Sequence, residues 1–539
     1  MVFQITFSRA TLAALIEMLL IKRHPNLIPF FIPTSLPLQI LSILSVNYTI
    51  WLLWIAIIYP FCFHPLRNFP APRVVILFRL LARIRNRLPP GQLILDIAEK
   101  TPNDGIILLQ GQATSLVLTK PAPLADLLVH HPYDFAKFDY VRDFLRPVLG
   151  DGLVVVEGDR HKFLRKNAQP AFKFSHIKEL YPMMWKKAVL FTDVLDRKVK
   201  ANEGGRVEMN GWASKVTIDI IGIAAFGREF NVLTNPDDPL INNYDELLKP
   251  GKTKFLYFLL SATFSRNFVR MLPWKVAQTF EKTTFNIKSI CAQLVRDKTE
   301  AVAKNADDHF DILSLLIKSN NFSESELVDQ LLTFLAAGHE TTSSVFTWAT
   351  YLLAIHPDVR EALRQEIQSA FPQFPNVPPG TELSSTLENL PYLNGVLNET
   401  LRLYPTVPVT VRVATKDTTL AGYPVQEGSE IVLSPWLVNR YTEIWGPEAT
   451  KFRPERWTTD GKVNNTGGVA SNYAQLTFLH GPRACIGQGF AKAELRCLLA
   501  AFAARFDWNL GMKEEDVLPG GVITIRPVNG MWLNLRAPS

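Results

Sequence analysis

From Pro25 to Phe63 the chain has no Asp, Glu, Lys or Arg. The most apolar part of this run, Leu38 to Tyr59, predicts a helix of roughly 33 Å at about 1.5 Å per residue, enough for a bilayer core of about 30 Å. Trp51, Trp54 and Tyr59 suit the interfaces of such a span. A buried core helix is the other reading. Thr11–Ile21 is a second, weaker apolar stretch interrupted by Glu17. Arg67, Arg73, Arg79, Arg83, Arg85 and Arg87 follow the span before any acid, so the positive-inside rule predicts a cytosolic body. Pro65, Pro70 and Pro72 cannot continue a helix and predict a stiff hinge over residues 64–72. Arg73–Leu88 reads either as an amphipathic helix on lipid or as an ordinary solvated helix.

Beyond residue 90 the apolar spacing is mostly helical. Ser323 and Glu326 form a capping-box pattern, and the helix it starts is predicted to run to Ile355, where His356–Pro357 stops it. At about 1.5 Å per residue it is roughly 48 Å long and belongs in the middle of a large helical domain. Short strands are predicted at Ile106–Leu109, Ser115–Leu118, Val407–Ala414, Glu430–Ser434, Val522–Ile525 and Met531–Leu535. The predicted fold is mostly α with a small β part. No repeat or Gly/Ser linker divides it, so one domain over residues 73–539 follows an anchor region, 1–63, and the hinge.

Composition narrows the chemistry. Hydrophobic residues make up 47%, which excludes disorder over most of the length. Four cysteines, Cys62, Cys291, Cys485 and Cys497, exclude a disulfide scaffold and a multi-cysteine metal site. The net charge of +7 is too small to argue for nucleic acid and suits an anionic membrane face or an acidic protein partner.

The segment Phe478–Gly487 carries the strongest signal. A lone cysteine is usually a small buried hydrophobe. Here Gly481, Pro482 and Gly487 give the loop an unusual path and let its backbone approach something flat. Backbone N–H groups in such a loop, and the helix that follows, favour a thiolate at Cys485. Arg483 brings a cation suited to a carboxylate, and Phe478 can shield the site. In the long helix, Gly338-His-Glu340-Thr341-Thr342 is a poor helical run that invites local widening, with a hydroxyl bonding a preceding carbonyl. By itself that is consistent with a kink that has no chemistry. Glu399 and Arg402, at i and i+3, share one helix face, and most such pairs are surface salt bridges.

With Phe478, Gly481, Arg483, Cys485 and Gly487 all in place, the chain resembles the cytochrome P-450 family of haem-thiolate monooxygenases from about Pro70 to its end, and its overall look is similar to fungal microsomal members. The resemblance implies haem b with Cys485 as the iron ligand. It implies that Glu340 and Thr341 relay protons to bound oxygen, with Gly338 leaving room for O₂ and substrate. A structural network of Glu399, Arg402 and Arg456 is implied behind the haem. Arg165, Arg412 and Arg483 match positions that bind haem propionates. His161 stands where the family commonly has Trp, and Asn439 where His is frequent. One turn from Arg165, His161 can donate to the same carboxylate, and an anion there raises its pKa.

No flavin or nicotinamide domain accompanies this body. The resemblance therefore implies electrons from NADPH through a separate partner, NADPH–cytochrome P-450 reductase or cytochrome b5. Arg160, Lys162 and Lys166 are candidates for the docking face. Apolar residues expected in the substrate pocket are Phe138, Tyr140, Phe334, Ala337, Val407, Val409, Val522 and Ile523, with Phe255–Leu272 as a lid facing the membrane. The expected protein is an endoplasmic-reticulum enzyme with a single-pass anchor and a cytosolic catalytic domain. It inserts one atom of O₂ into an apolar small molecule, by analogy in terpenoid or polyketide metabolism. The rival readings are a haem-thiolate isomerase or dehydratase that uses no O₂, and a non-catalytic membrane haem carrier.

Overall fold

The computed structural model describes residues 36–54, 58, 62–63, 66–67, 69–72, 88–109, 115–201, 205–235, 237–248, 253, 257, 274–304, 310–378, 380–521 and 523–537. Thr11–Ile21, nearly all of Arg73–Leu88, most of Phe255–Leu272 and Val522 lie outside these residues. The apolar run forms helix α1, Leu36–Leu53, of 18 residues. No helix among the described residues is long and apolar enough to cross a membrane.

The helices that build the body are α2 (Gly158–Ala168), α3 (Phe174–Ala201), α4 (Met209–Phe226), α5 (Glu324–Ile355), α6 (Pro391–Leu403) and α7 (Gln488–Arg505). The capping box sets the start of α5: Glu326 Oε2 accepts from Ser323 N–H at 2.7 Å, and the Ser323 hydroxyl accepts from Glu326 N–H. Its middle is buried in the main core, packed against α4 and α7. Two buried threonines there bond within their own helix. Thr347 Oγ1 donates to Ser343 O at 2.8 Å and Thr350 Oγ1 to Thr347 O at 2.8 Å. The expected widening does not occur; α5 is continuous α-helix through Gly338 and Thr342.

Five strands form the larger sheet: β1 (Ile106–Leu109), β2 (Ser115–Leu118), β3 (Phe135–Lys137), β4 (Thr410–Ala414) and β5 (Glu430–Leu433), in the order β1-β2-β5-β4-β3. β2 and β5 run parallel and the other neighbours antiparallel. A second core packs on this sheet, with Ile107, Leu116, Val117 and Leu433 fully buried. Arg206–Glu208, Asp507–Leu510 and Trp532–Arg536 make a smaller sheet with the last as its centre. The strand expected at Val522–Ile525 is absent from the described part of that segment, which bends between the short strands Pro519–Gly520 and Arg526–Pro527. Gly521 explains the turn: its φ is +141°, and a Cβ there would strike the Thr524 carbonyl.

Candidate active site

The cysteine loop is shaped by its backbone. Gly481 has φ +73°, and a Cβ on it would collide with the Leu128 carbonyl, so the close pass of these two segments requires glycine. A short 3₁₀ turn at Gly481–Arg483 then brings Cys485 N–H to Phe478 O at 2.9 Å. Phe478 itself packs on the main core, half-buried. Cys485 keeps accessible surface, whereas Cys497 has none. Protein nonetheless surrounds the Cys485 thiol closely enough that burial pushes its pKa up, while the Gly487 N–H and Arg165 pull it down. These facts together place the sulfur on the wall of an internal space. A Cβ added to Gly487 would meet nothing within 4 Å, so the backbone beside the sulfur also faces open room.

Cations gather next to this loop. Antiparallel pairing of β3 with β4 sets Lys137 opposite Arg412, which puts both on one sheet face. Arg412 is buried and donates to Thr410 Oγ1 and Val411 O, both at 3.0 Å; burial, then Arg483, depresses it to about 10. Arg483 donates to Phe135 O at 2.7 Å and pairs with Glu157, while its buried Nε has no partner among the described residues. Arg165 on α2 donates to Ala484 O at 2.6 Å, directly before the cysteine. Lys137 Nζ lies 3.3 Å from Glu157 Oε1, and burial, then Arg483, lowers Lys137 to about 7. Burial works to raise Glu157, but Lys137 and Arg483 outweigh it and hold the carboxylate low. Lys137 and Arg483 thus share Glu157, whose charge Arg412 also feels, while Arg165 faces the cysteine.

His161 is buried among them, its Nδ1 3.2 Å from the Tyr133 hydroxyl. The protein's own groups work against a charged ring: burial acts first, then Lys137 and Arg483, and together they lower His161 to about 4. A haem carboxylate beside the ring would pull the other way. Sequence spacing placed His161 near Arg165 but gave no sign of Lys137 and Arg483, which arrive from distant segments.

On α5, Thr341 Oγ1 donates to Ala337 O at 2.7 Å. Glu340 Oε1 accepts from Thr524 Oγ1 at 2.6 Å, and Ser344 Oγ donates to Ile525 O at 2.5 Å. The C-terminal turn is therefore clamped onto the helix beside the Glu340–Thr341 pair. Thr524 was missed because nothing near it in sequence marks it. Ile525 N–H also reaches Thr406 O at 2.8 Å, which brings the segment after α6 to the same place. Ala337 is exposed in mid-helix although Phe334, Leu335 and His339 around it are buried, so it too borders internal space. Gly338 also serves the packing of two helices. A Cβ on it would lie 2.8 Å from Ile221 Cδ1, so the missing side chain serves the packing of α4 on α5.

Behind the loop, Glu399 and Arg402 are wholly buried on α6. Arg402 makes a bidentate pair with Glu399 at 2.7 and 2.8 Å, and Arg456 Nε adds a third bond at 3.0 Å. Trp457 Nε1 donates to Glu399 Oε2 at 2.9 Å, and Arg402 reaches Asn439 O at 2.7 Å. Burial works to raise the Glu399 pKa, but these donors outweigh it and hold it low. Asn439 Oδ1 accepts from Leu476 N–H at 2.7 Å and its Nδ2 donates to Arg402 O at 3.0 Å. The network is thereby tied to the start of the cysteine loop.

The expected pocket residues separate. Phe138 and Tyr140 meet edge-on at 5.3 Å, with Tyr140 59% exposed. Phe334 is buried edge-on to Phe172 at 5.3 Å and is a core residue. Val407 and Val409 are half-buried before β4, and Ile523 is exposed. A groove of about 530 Å³ at the end of α5, lined by Tyr351, Ile355, Tyr404, Arg440 and Phe452, includes neither Cys485 nor Thr341 and is a separate feature. Of the docking candidates, Arg160 pairs with Glu326 and Lys162 with Asp159.

Residues 70–533 match the cytochrome P450 family model. Cytochrome P450 monooxygenase sphH of Aspergillus fumigatus is 41% identical over 490 residues, covering 89% of this chain and 90% of that protein. Cytochrome P450 monooxygenase ptmK of Penicillium ochrochloron is 36% identical over 501 residues, covering 90% and 97%. Cytochrome P450 monooxygenase ALT8 of Alternaria alternata is 34% identical over 482 residues, covering 78% and 80%. The chain belongs to the cytochrome P450 family and is a monooxygenase by its relatives. The family implies haem-thiolate iron, and the donor set here suits it: a thiol with N–H and guanidinium neighbours, a surplus of buried cations for two carboxylates, and open room beside Gly487.

Proposed function

We propose that the chain is a membrane-anchored monooxygenase that places one oxygen atom of O₂ on an apolar small molecule and releases the other as water. Haem, when bound through Cys485, supplies the reductive activation of O₂. Arg165, Arg412 and Arg483, with Lys137 and His161 beside them, would hold its carboxylates. Glu340 and Thr341 carry protons inward. Thr341 Oγ1 donates its hydrogen bond to Ala337 O, and Glu340 Oε1 accepts one from the Thr524 hydroxyl, so hydroxyl and carboxylate are both oriented before substrate arrives. The Glu399–Arg402–Arg456 network keeps the loop rigid. Ala337, Val407, Val409 and Ile523 favour an apolar substrate, and fungal relatives named as monooxygenases suit a role in secondary metabolism. Electrons come from NADPH through a separate reductase, with the catalytic body on the cytosolic side of the endoplasmic reticulum.

The observation that carries this reading is the accessible Cys485 sulfur in its glycine-shaped loop, approached by the Gly487 N–H and Arg165. Replacing Cys485 by Ala should abolish the red-shifted, thiolate-type Soret band of the reduced carbonyl complex. A variant that keeps the band has another ligand, and the reading fails.

A further inference from the structure

Glu494 is a buried acid that none of this chemistry uses. It lies on α7, wholly buried, and neither carboxylate oxygen has a hydrogen-bond partner among the described residues. The cations of its own helix are turned elsewhere. Lys492 Nζ donates to Asn398 Oδ1 at 3.0 Å, and Arg496 serves Asn394, Tyr181 and Glu388. Cys497, also on α7, has a buried thiol whose pKa is pushed up, so it is neutral. The side chain that faces Glu494 from α5 is Thr342. The Thr342 hydroxyl already gives its one proton to Gly338 O, at 2.9 Å.

We infer that Glu494 is a positioning residue: as a neutral acid it donates to the Thr342 hydroxyl, and through it fixes the Gly338 carbonyl in the turn that carries Glu340 and Thr341. The donor count requires this direction. An ionised carboxylate only accepts, and Thr342 has no second proton to give, so ionised Glu494 would be a buried charge with no partner. A protonated Glu494 turns its O–H to a free lone pair of Thr342 and satisfies both groups. Burial pushes its pKa well up and outweighs the Thr342 hydroxyl, which pulls it down. Two adjacent hydroxyls then hold two adjacent carbonyls, Thr341 that of Ala337 and Thr342 that of Gly338. The Thr341 bond lies on the turn that borders internal space, and the Thr342 bond is backed by α7. The inference rests on the proposed proton role of Glu340 and Thr341.

Infrared difference spectra of the haem-loaded enzyme test it at neutral pH. Wild type minus Glu494→Gln should contain the carbonyl stretch of a protonated carboxylic acid, and Thr342→Val should shift that stretch to the higher frequency of an acid without an acceptor. Carboxylate bands in place of the acid stretch, or a stretch unmoved in Thr342→Val, would overturn the proposal. With the reductase, Glu494→Met should raise hydrogen peroxide released per NADPH by about fivefold, the factor one lost neutral hydrogen bond of about 1 kcal/mol represents. Glu494→Gln keeps a donor and should restore most of the coupling. Equal peroxide ratios in Met, Gln and wild type would assign Glu494 to packing alone. The reduced carbonyl spectrum reports the haem–thiolate separately: its loss in wild type overturns the proposed function, whereas an acid stretch missing beside a normal Soret band overturns only the role of Glu494.

Discussion

His161 illustrates how a residue's chemistry depends on neighbours that its sequence position does not reveal. The folded ring takes up its proton only near pH 4, whereas an exposed one does so near 6.5. Between those values the unfolded chain binds more protons, so stability falls as pH drops from about 6.5 to about 4 and levels off below. Urea midpoints of His161→Phe should fall less steeply than wild type across that window; identical slopes would mean the ring titrates normally. Thr341 is the other residue whose role is open to a direct test. With its hydroxyl on the Ala337 carbonyl it holds a proton at the edge of internal space. Thr341→Ala should retain haem but release more hydrogen peroxide per NADPH consumed. An unchanged ratio of product to NADPH removes Thr341 from the relay.

At the scale of elements, α6 and the cysteine loop are joined through buried charge. Glu399 answers two guanidinium groups and an indole, and Arg402 has no solvent to fall back on. Breaking such a pair by removing one partner costs roughly 3–5 kcal/mol, because the remaining ion stays buried. Glu399→Ala should therefore lower the denaturation midpoint sharply and yield mostly haem-free protein. A variant with normal stability and haem content would show that the network is dispensable. The i, i+3 spacing of Glu399 and Arg402 was visible in the chain, and the strength of the contact was not. Its strength comes from Arg456, Trp457 and the Asn439 carbonyl, brought from two later segments.

For the whole molecule, the long uncharged run before the proline hinge argues for an anchor, while the described helix Leu36–Leu53 is shorter than the span read from Leu38 to Tyr59. We propose that the run still holds the enzyme to the membrane. Deleting residues 1–63 should release much of the protein into the soluble fraction with its Soret band intact. Complete retention on membranes after high-salt and alkaline washes would place the anchor elsewhere. Among the described residues, none of 36–63 belongs to the main or sheet core, and Leu66 is the first that does.

The chain by itself determined what local rules decide. The 32-residue helix Glu324–Ile355 begins at its capping box and ends before Pro357, because caps and proline act within a few residues. Strands Ile106–Leu109 and Ser115–Leu118 form where apolar runs are bounded by turn residues. The cysteine loop was legible because its fixed residues are adjacent. Tertiary structure decided what depends on distant segments. It set Lys137 against Arg412 by strand register, Thr524 against Glu340, Ile221 in the notch of Gly338, and a buried His161 among cations. Charge, burial and donor count at a buried site are sums over everything packed around it. No window of sequence contains those terms.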